Sequence, residues 1–363
     1  MTSVADISQY LDKLAPEALA EPWDNVGLQV GLEGLEVERL LVCLDVTDAV
    51  LKEAISKNCQ LIVAHHPLFF REVTGVTGAT STGRLAMLAI ENGLAVYVAH
   101  TNLDKAAGGI SDSLASSLGL VDVKVLSSQD HLLKLVVFVP QDVLERVKKA
   151  LGNAGAGTIG LYSHCSFGVA GNGSFRPLAG AHPSLGNVGR DNQVDEVRLE
   201  VEVRKTDLRK VSEAMIAAHP YEEVAYDIYE LKNSDWSTGL GRIGNLKKEI
   251  GFDDFVKTCK NQISGRIRVS GFVERVKRVA VCGGSGSSLI NVAAGAGADV
   301  MVTGDIKYHD ALSARDLGLA LVDGGHDATE FAGILSLSER LSGEFDVDVV
   351  APRLNSSIWQ EVE

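Results

Sequence analysis

An adjacent pair of imidazoles, His65-His66, ends a short apolar run from Leu61 to Ala64 that reads as a buried strand. Ligands of open α/β sheets gather at the carboxyl ends of strands, so the pair stands where metal or substrate chemistry is expected. Two crowded imidazoles, with Pro67 stiffening the exit, also suit a packed core poorly. His100 and Asp104 follow the next apolar run, Leu94 to Ala99. His326 and Glu330 follow a third, Leu319 to Val322, and their spacing places both side chains on one helix face, as a metal site requires. Each feature has a plainer reading: Asp104 as a helix cap near Ser111 or a solvated loop residue, His326 and Glu330 as a surface pair. Together, three strand ends offer ligand-type side chains to the same rim of one inferred sheet.

The elements that position these residues alternate. Leu40 to Leu44 is a strand and Ala49 to Ser56 a helix; Leu61 to Ala64 is a strand, Thr82 to Glu91 a helix, and Leu94 to Ala99 a strand. The last third repeats the plan with strands at Arg278 to Cys282, Val300 to Thr303 and Leu319 to Val322. Short apolar strands separated by helices predict largely parallel sheets covered on both faces. The stretches Gly93-Leu94-Ala95-Val96 and Gly318-Leu319-Ala320-Leu321 are alike, so the outer thirds read as two pseudo-symmetric α/β halves of one core.

Between them the pattern changes. Leu132 to Val139 reads as a strand, Asp142 to Leu151 as an amphipathic helix and Thr158 to Val169 as extended. A Gly-rich stretch from Gly171 to Gly189 follows, then a strictly alternating strand from Glu196 to Arg204, a helix from Leu208 to Ala217 and a strand from Val224 to Leu231. This repeated βαβ order predicts an inserted ferredoxin-like α+β domain over residues 127–234, with the core formed by 1–126 and 235–363. Its histidines, His131, His164, His182 and His219, show no paired metal spacing and read as surface or packing residues.

Composition narrows the function. The 363 residues carry a net charge of −14, which repels phosphate backbones and makes nucleic acid a poor match as a partner. No apolar stretch approaches the roughly 20 residues that span a bilayer, and the acid-rich N-terminus is unlike a transit peptide, so a cytoplasmic protein without a membrane segment is expected. The five cysteines are scattered and form no CxxC pair, which fits neither a disulfide framework nor a thiolate metal site.

Five ordered motifs carry a specific resemblance: Glu21-Pro-Trp-Asp-Asn-Val-Gly-Leu-Gln-Val-Gly31, Val63-Ala-His-His-Pro-Leu-Phe69, His100-Thr-Asn-Leu-Asp104, Gly304-Asp-Ile-Lys-Tyr-His309 and Asp323-Gly-Gly-His-Asp-Ala-Thr-Glu330. They closely resemble the Nif-three-like family, also labelled type 2 GTP cyclohydrolase I. The middle third, with His219-Pro-Tyr-Glu-Glu-Val-Ala225, resembles the insertion of the family's longer members, itself similar to PII and CutA proteins. The resemblance implies two divalent ions on His65, His66, Asp104, His326 and Glu330, and a homo-hexameric ring. Where the family pattern is often aromatic, this chain has Asp327. Three imidazoles and two carboxylates suit zinc, manganese, iron or nickel better than magnesium or calcium.

Two divalent ions against two carboxylates leave a local positive spot that favours an anionic substrate such as a nucleotide. Gly283, Gly284 and Ser285 join a strand to a helix, where N–H groups could cradle phosphate or simply make a tight connection. Trp23, Asp24 and Asn25 could line the site or cap and pack the first helix. His100 and His309 match no ligand position and are the candidates for proton transfer. The expected function is a dinuclear-metal hydrolase acting on a nucleotide or related anion, with GTP ring opening the reaction named by the family label. Two alternatives stand beside it: a two-metal phosphodiesterase or phosphatase, and a non-enzymatic metal-binding ring whose insertion senses a ligand or docks a partner.

Overall fold

A computed structural model describes residues 1–128, 131–263 and 266–352. The chain forms two compact units, one made of residues up to Ser128 and from Trp236 onward, the other of the residues between them.

The first unit opens with α1 (Val4–Leu14), started by a reciprocal capping box between Ser3 and Asp6. Then come β1 (Gly27–Val30), β2 (Arg39–Cys43), α2 (Asp48–Ser56), β3 (Leu61–Ala64), α3 (Ser81–Glu91) and β4 (Ala95–Val98). Strands β2, β3 and β4 pair in parallel, while β1 runs antiparallel to β4. Every residue of β3 is buried because the sheet is covered on both faces. Leu61 and Val63 enter one core and Ile62 and Ala64 the other, the two-residue alternation of a strand. The chain continues through α4 (Thr101–Lys105) and α5 (Ile110–Ser117) to β5 (Leu120–Ser127), which joins the second sheet.

The second unit runs β6 (His131–Pro140), α6 (Leu144–Asn153), β7 (Phe167–Phe175), β8 (Asn192–Val203), α7 (Leu208–Ala218) and β9 (Tyr226–Ser234). Its antiparallel sheet has the order β7-β8-β6-β9, which with two βαβ halves is the ferredoxin-like arrangement. Leu135, Val137 and Val139 point to one face and pack under Val147 and Leu151 of α6 and Val211 and Met215 of α7. One expectation is corrected here. The extended segment is β7, which begins at Phe167 and runs into the Gly-rich stretch. As an edge strand with mostly exposed residues, β7 has few side chains to pack and so tolerates Gly168, Gly171 and Gly173.

The chain returns to the first unit with β10 (Leu240–Gly251), α8 (Phe252–Gln262), β11 (Arg268–Ser270), β12 (Arg275–Ser285), α9 (Ile290–Gly295), β13 (Val300–Gly304), α10 (Tyr308–Asp316), β14 (Ala320–Asp323), α11 (His326–Glu344) and β15 (Asp348–Val350). Strands β12, β13 and β14 repeat the parallel triple of the first half. Gly93 and Gly318 are equivalent, each with positive φ just past a helix. There the next N–H, of Leu94 or Leu319, bonds back to Ala89 or Ala314, so the likeness in sequence is one helix-stop motif used twice. The second sheet is less parallel than the pattern predicts, because β11, β10 and β5 all add antiparallel. Leu240 pairs with Ser127, so the strands before and after the inserted segment lie side by side.

Helix α11 joins the halves. Ala328, near its start, belongs to the core of the second sheet, whereas Ile334, Leu337 and Leu341 pack with Leu40, Val42, Leu61 and Val63 of the first. Strand β15 then pairs with β2. No helix among the described residues is long and apolar enough to cross a membrane.

Candidate metal centre

The site lies at the carboxyl ends of both parallel triples, where α11 crosses between them. His65 and His66 follow β3 directly, and their N–H groups extend the ladder by donating to Cys43 and Leu44. His66 Nδ1 is 2.9 Å from Asp45 Oδ1, just past β2. His65 is fully buried, and its Nδ1 donates to the carbonyl of Ala99 at 2.7 Å. His326 opens α11, with Nδ1 2.7 Å from Asp305 Oδ2, just past β13. In all three rings an outward acceptor fixes the proton on Nδ1 and leaves the Nε2 lone pair facing in.

Those Nε2 atoms converge on Glu330, one turn beyond His326 and only 3% exposed. Glu330 Oε1 is 3.2 Å from His326 Nε2 and 3.6 Å from His65 Nε2, and its Oε2 is 3.2 Å from His66 Nε2. Asp104 Oδ1 lies 3.6 Å from His65 Nε2 on the other side. The Nε2 atoms of His66 and His326 are 3.4 Å apart. When neutral, rings held with their protons on Nδ1 bring only lone pairs to that contact, an arrangement a bound cation relieves. His65 Nε2, Asp104 Oδ1 and Glu330 Oε2 are buried without a hydrogen-bond partner. Unpartnered buried polar atoms are costly; three around one point fit a metal ion. Three residue groups bring their ligand atoms within 4.8 Å of one another: His66, His326 and Glu330; His65, Asp104 and Glu330; His65, His66 and His100.

The electrostatics agree. Burial opposes charge on His66, but the hydrogen bond to Asp45 and the neighbouring Glu330 carboxylate outweigh it and raise the ring to about 10. The Glu330 carboxylate beside its Nε2 raises His326 to about 9. Burial would raise Glu330, yet the surrounding imidazoles hold it well below the usual carboxylate range. Burial raises Asp104, which borders the Glu330 charge. The cluster therefore attracts positive charge.

Candidate residues outside this group take different places. A ring nitrogen of His100 joins those of His65 and His66, and its Nδ1 is 2.9 Å from Asp24 Oδ1. Asp24 also accepts from the Thr101 hydroxyl at 2.5 Å and the Thr101 N–H at 3.1 Å. Burial opposes its charge, but these bonds hold Asp24 at about 2. Trp23 is 62% exposed, with its ring 6.2 Å from that of His100. Asn25 instead braces the chain, donating to the Phe69 carbonyl at 2.7 Å. His309 is exposed on α10 and stacks edge-on with Tyr308, outside the three groups.

The phosphate cradle expected at Gly283, Gly284 and Ser285, the last residues of β12, is corrected. The N–H groups of Gly283, Gly284 and Gly286 donate internally, to the hydroxyls of Ser111, Thr329 and Thr303. The glycines serve close approach instead: a Cβ on Gly284 would sit 2.2 Å from Glu330 Oε1 and 3.3 Å from His326 Nε2. Sequence reasoning missed Asp45 and Asp305, the ring-orienting carboxylates. Both lie just past parallel strands, so the strand-end rule that singled out His65 and His66 could have found them.

Fold and site together define a two-half α/β protein with a buried histidine–carboxylate cluster able to hold metal. The sequence matches the Duf34/NIF3 family (NGG1p interacting factor 3) over residues 2–357, and the chain belongs to that family. It is 45% identical over 326 residues to a Bacillus subtilis protein named GTP cyclohydrolase 1 type 2 homolog, covering 89% of this chain and 87% of that protein. A Halalkalibacterium halodurans protein of the same name is 40% identical over 96% of each chain. Among solved structures, a Bacillus cereus protein related to NIF3 is 39% identical with a TM-score of 0.81 over 99% of each chain. The Staphylococcus aureus protein SA1388 is 30% identical with a TM-score of 0.76, again over 99% of each.

Proposed function

We propose that the chain is a metal-dependent hydrolase that acts on a nucleotide or a related anion, with two divalent ions that His65, His66, Asp104, His326 and Glu330 would hold. The observation that carries the metal reading is the convergence of three Nδ1-anchored imidazoles on buried, unpartnered carboxylate oxygens. Glu330 faces both ligand groups, with His66 and His326 on one side and His65 and Asp104 on the other. Zinc, manganese, iron and nickel suit this donor set. Divalent ions held there would act as Lewis acids towards a substrate oxygen and an attacking water. The relatives' name, GTP cyclohydrolase 1 type 2 homolog, supports a hydrolytic reaction on a nucleotide.

His100 is the residue this reading assigns to proton transfer. Asp24 accepts from its Nδ1–H and orients the ring, which leaves Nε2 to take and return a proton. Trp23 beside it offers an exposed aromatic edge to a substrate. A homo-hexameric ring is proposed as the working assembly and is checked by light scattering. The deciding experiment measures turnover with added manganese or zinc across nucleotides and phosphodiesters. GTP opening supports the cyclohydrolase reading, and cleavage of phosphodiesters alone supports the phosphodiesterase alternative. Tight metal binding without turnover of any substrate overturns the enzymatic reading in favour of a metal-binding ring.

A further inference from the structure

The second unit holds a cavity of about 510 Å³, within the range of small-molecule sites. It is lined by the aromatic residues Phe138, Phe175 and Tyr221 and by the acidic residues Glu196, Glu222 and Glu223, the last two exposed at its rim. The roof is the connection between β7 and β8, residues 176–191, longer than a hairpin needs. Arg176 and Asp191 clasp its two ends through paired bonds of 2.7 and 2.5 Å. Its middle is tied down where the His182 N–H donates to Glu222 Oε1 at 2.8 Å. The opposite wall is equally fixed. His219 donates through Nε2 to the Phe138 carbonyl at 3.0 Å and accepts the Tyr221 N–H at 3.2 Å. Tyr221 in turn donates its hydroxyl to Glu196 Oε1 at 2.9 Å. Glu196 Oε2 occupies the space above Gly173, where a Cβ would lie 2.1 Å away.

The cavity's charge is one-sided. Among the described residues, Arg176 is the only cationic side chain in the lining, and it pairs with Asp191. Three carboxylates beside three aromatic rings complement a cation, through ion pairing and through attraction to the ring faces. They repel the anion that the metal centre would favour. We propose that this cavity binds a small organic cation with an apolar body, an amine or quaternary ammonium compound, at a site separate from the metal centre. The Gly-rich stretch and the His219-Pro-Tyr-Glu-Glu segment then have a shared purpose: one makes the roof and leaves room for Glu196, the other sets Tyr221 and the carboxylates in the wall.

The test uses the metal-loaded full chain and calorimetric titration. Phenethylammonium, choline and spermidine are the cationic probes, and phenylacetate is the anion matched in body to the first. At least one cation should bind with one-to-one stoichiometry, and phenylacetate should not. Glu196→Gln and Gly173→Ala should each weaken binding about tenfold or more, with metal content unchanged. The proposal is overturned if no cationic probe binds at millimolar concentration or if phenylacetate binds as well as phenethylammonium. It is also overturned if binding survives both substitutions, or if magnesium displaces the bound amine completely, which would mark an unselective acidic cluster.

Discussion

Gly284 of β12 and Glu330 of α11 meet at the metal centre: the space a Cβ would need on Gly284 is filled by the Glu330 carboxylate. Gly284 also has a φ of 64°, a conformation that favours glycine. Gly284→Ala should therefore displace Glu330 and weaken metal binding about tenfold or more. Metal titration followed by calorimetry checks this; unchanged affinity would mean that Glu330 is not held as a ligand.

Glu330→Gln and His326→Ala should each strip metal while the fold persists. Both lie near the first turn of α11, outside the apolar set of Ile334, Leu337 and Leu341 that anchors the helix. Elemental analysis alongside circular dichroism reads the outcome. Full occupancy in both variants would remove the metal-centre reading.

Asp24→Asn separates proton transfer from metal binding. It keeps the shape but replaces the carboxylate that fixes the His100 ring through Nδ1, so metal content should stay while any turnover falls on the order of a hundredfold. Equal rates for the variant and the natural chain would take His100 and Asp24 out of the mechanism.

Arg242 is 2% exposed and donates to both oxygens of Asp112 and to the carbonyls of Ala106, Gly239 and Gly241. Arg242→Ala leaves these acceptors and a carboxylate without their partner, so stability should fall by about 3–5 kcal/mol. Urea unfolding measures it, and a loss below 1 kcal/mol, roughly the value of a surface pair, would contradict the assignment.

Because Leu240 pairs with Ser127, excising the second unit requires only a short bridge between neighbouring strands. A chain joining Ser128 to Trp236 by a flexible linker should be soluble and retain metal. Insolubility across several linker lengths would show that the first unit depends on the second.

The sequence by itself determined much of the parallel framework. Leu61 to Ala64 and Val300 to Thr303 are short continuous apolar runs, and such runs form strands buried on both faces whatever surrounds them. It also placed His65, His66, Asp104, His326 and Glu330 at strand ends, because element type and side-chain direction are local properties. Tertiary structure decided which strand ends meet. The crossing of α11 from one core to the other brings Glu330 to within 3.2 Å of His66, and no local period encodes a contact between residues so far apart. The same limit explains the Gly283–Gly284–Ser285 turn. Its composition matches an open phosphate cradle, but its N–H groups are taken by Ser111 and Thr329, hydroxyls that only the folded chain delivers. The antiparallel β5, β10 and β11 escaped the pattern because they lie towards the sheet's edges, where half-exposed residues break the apolar run that marks a central strand.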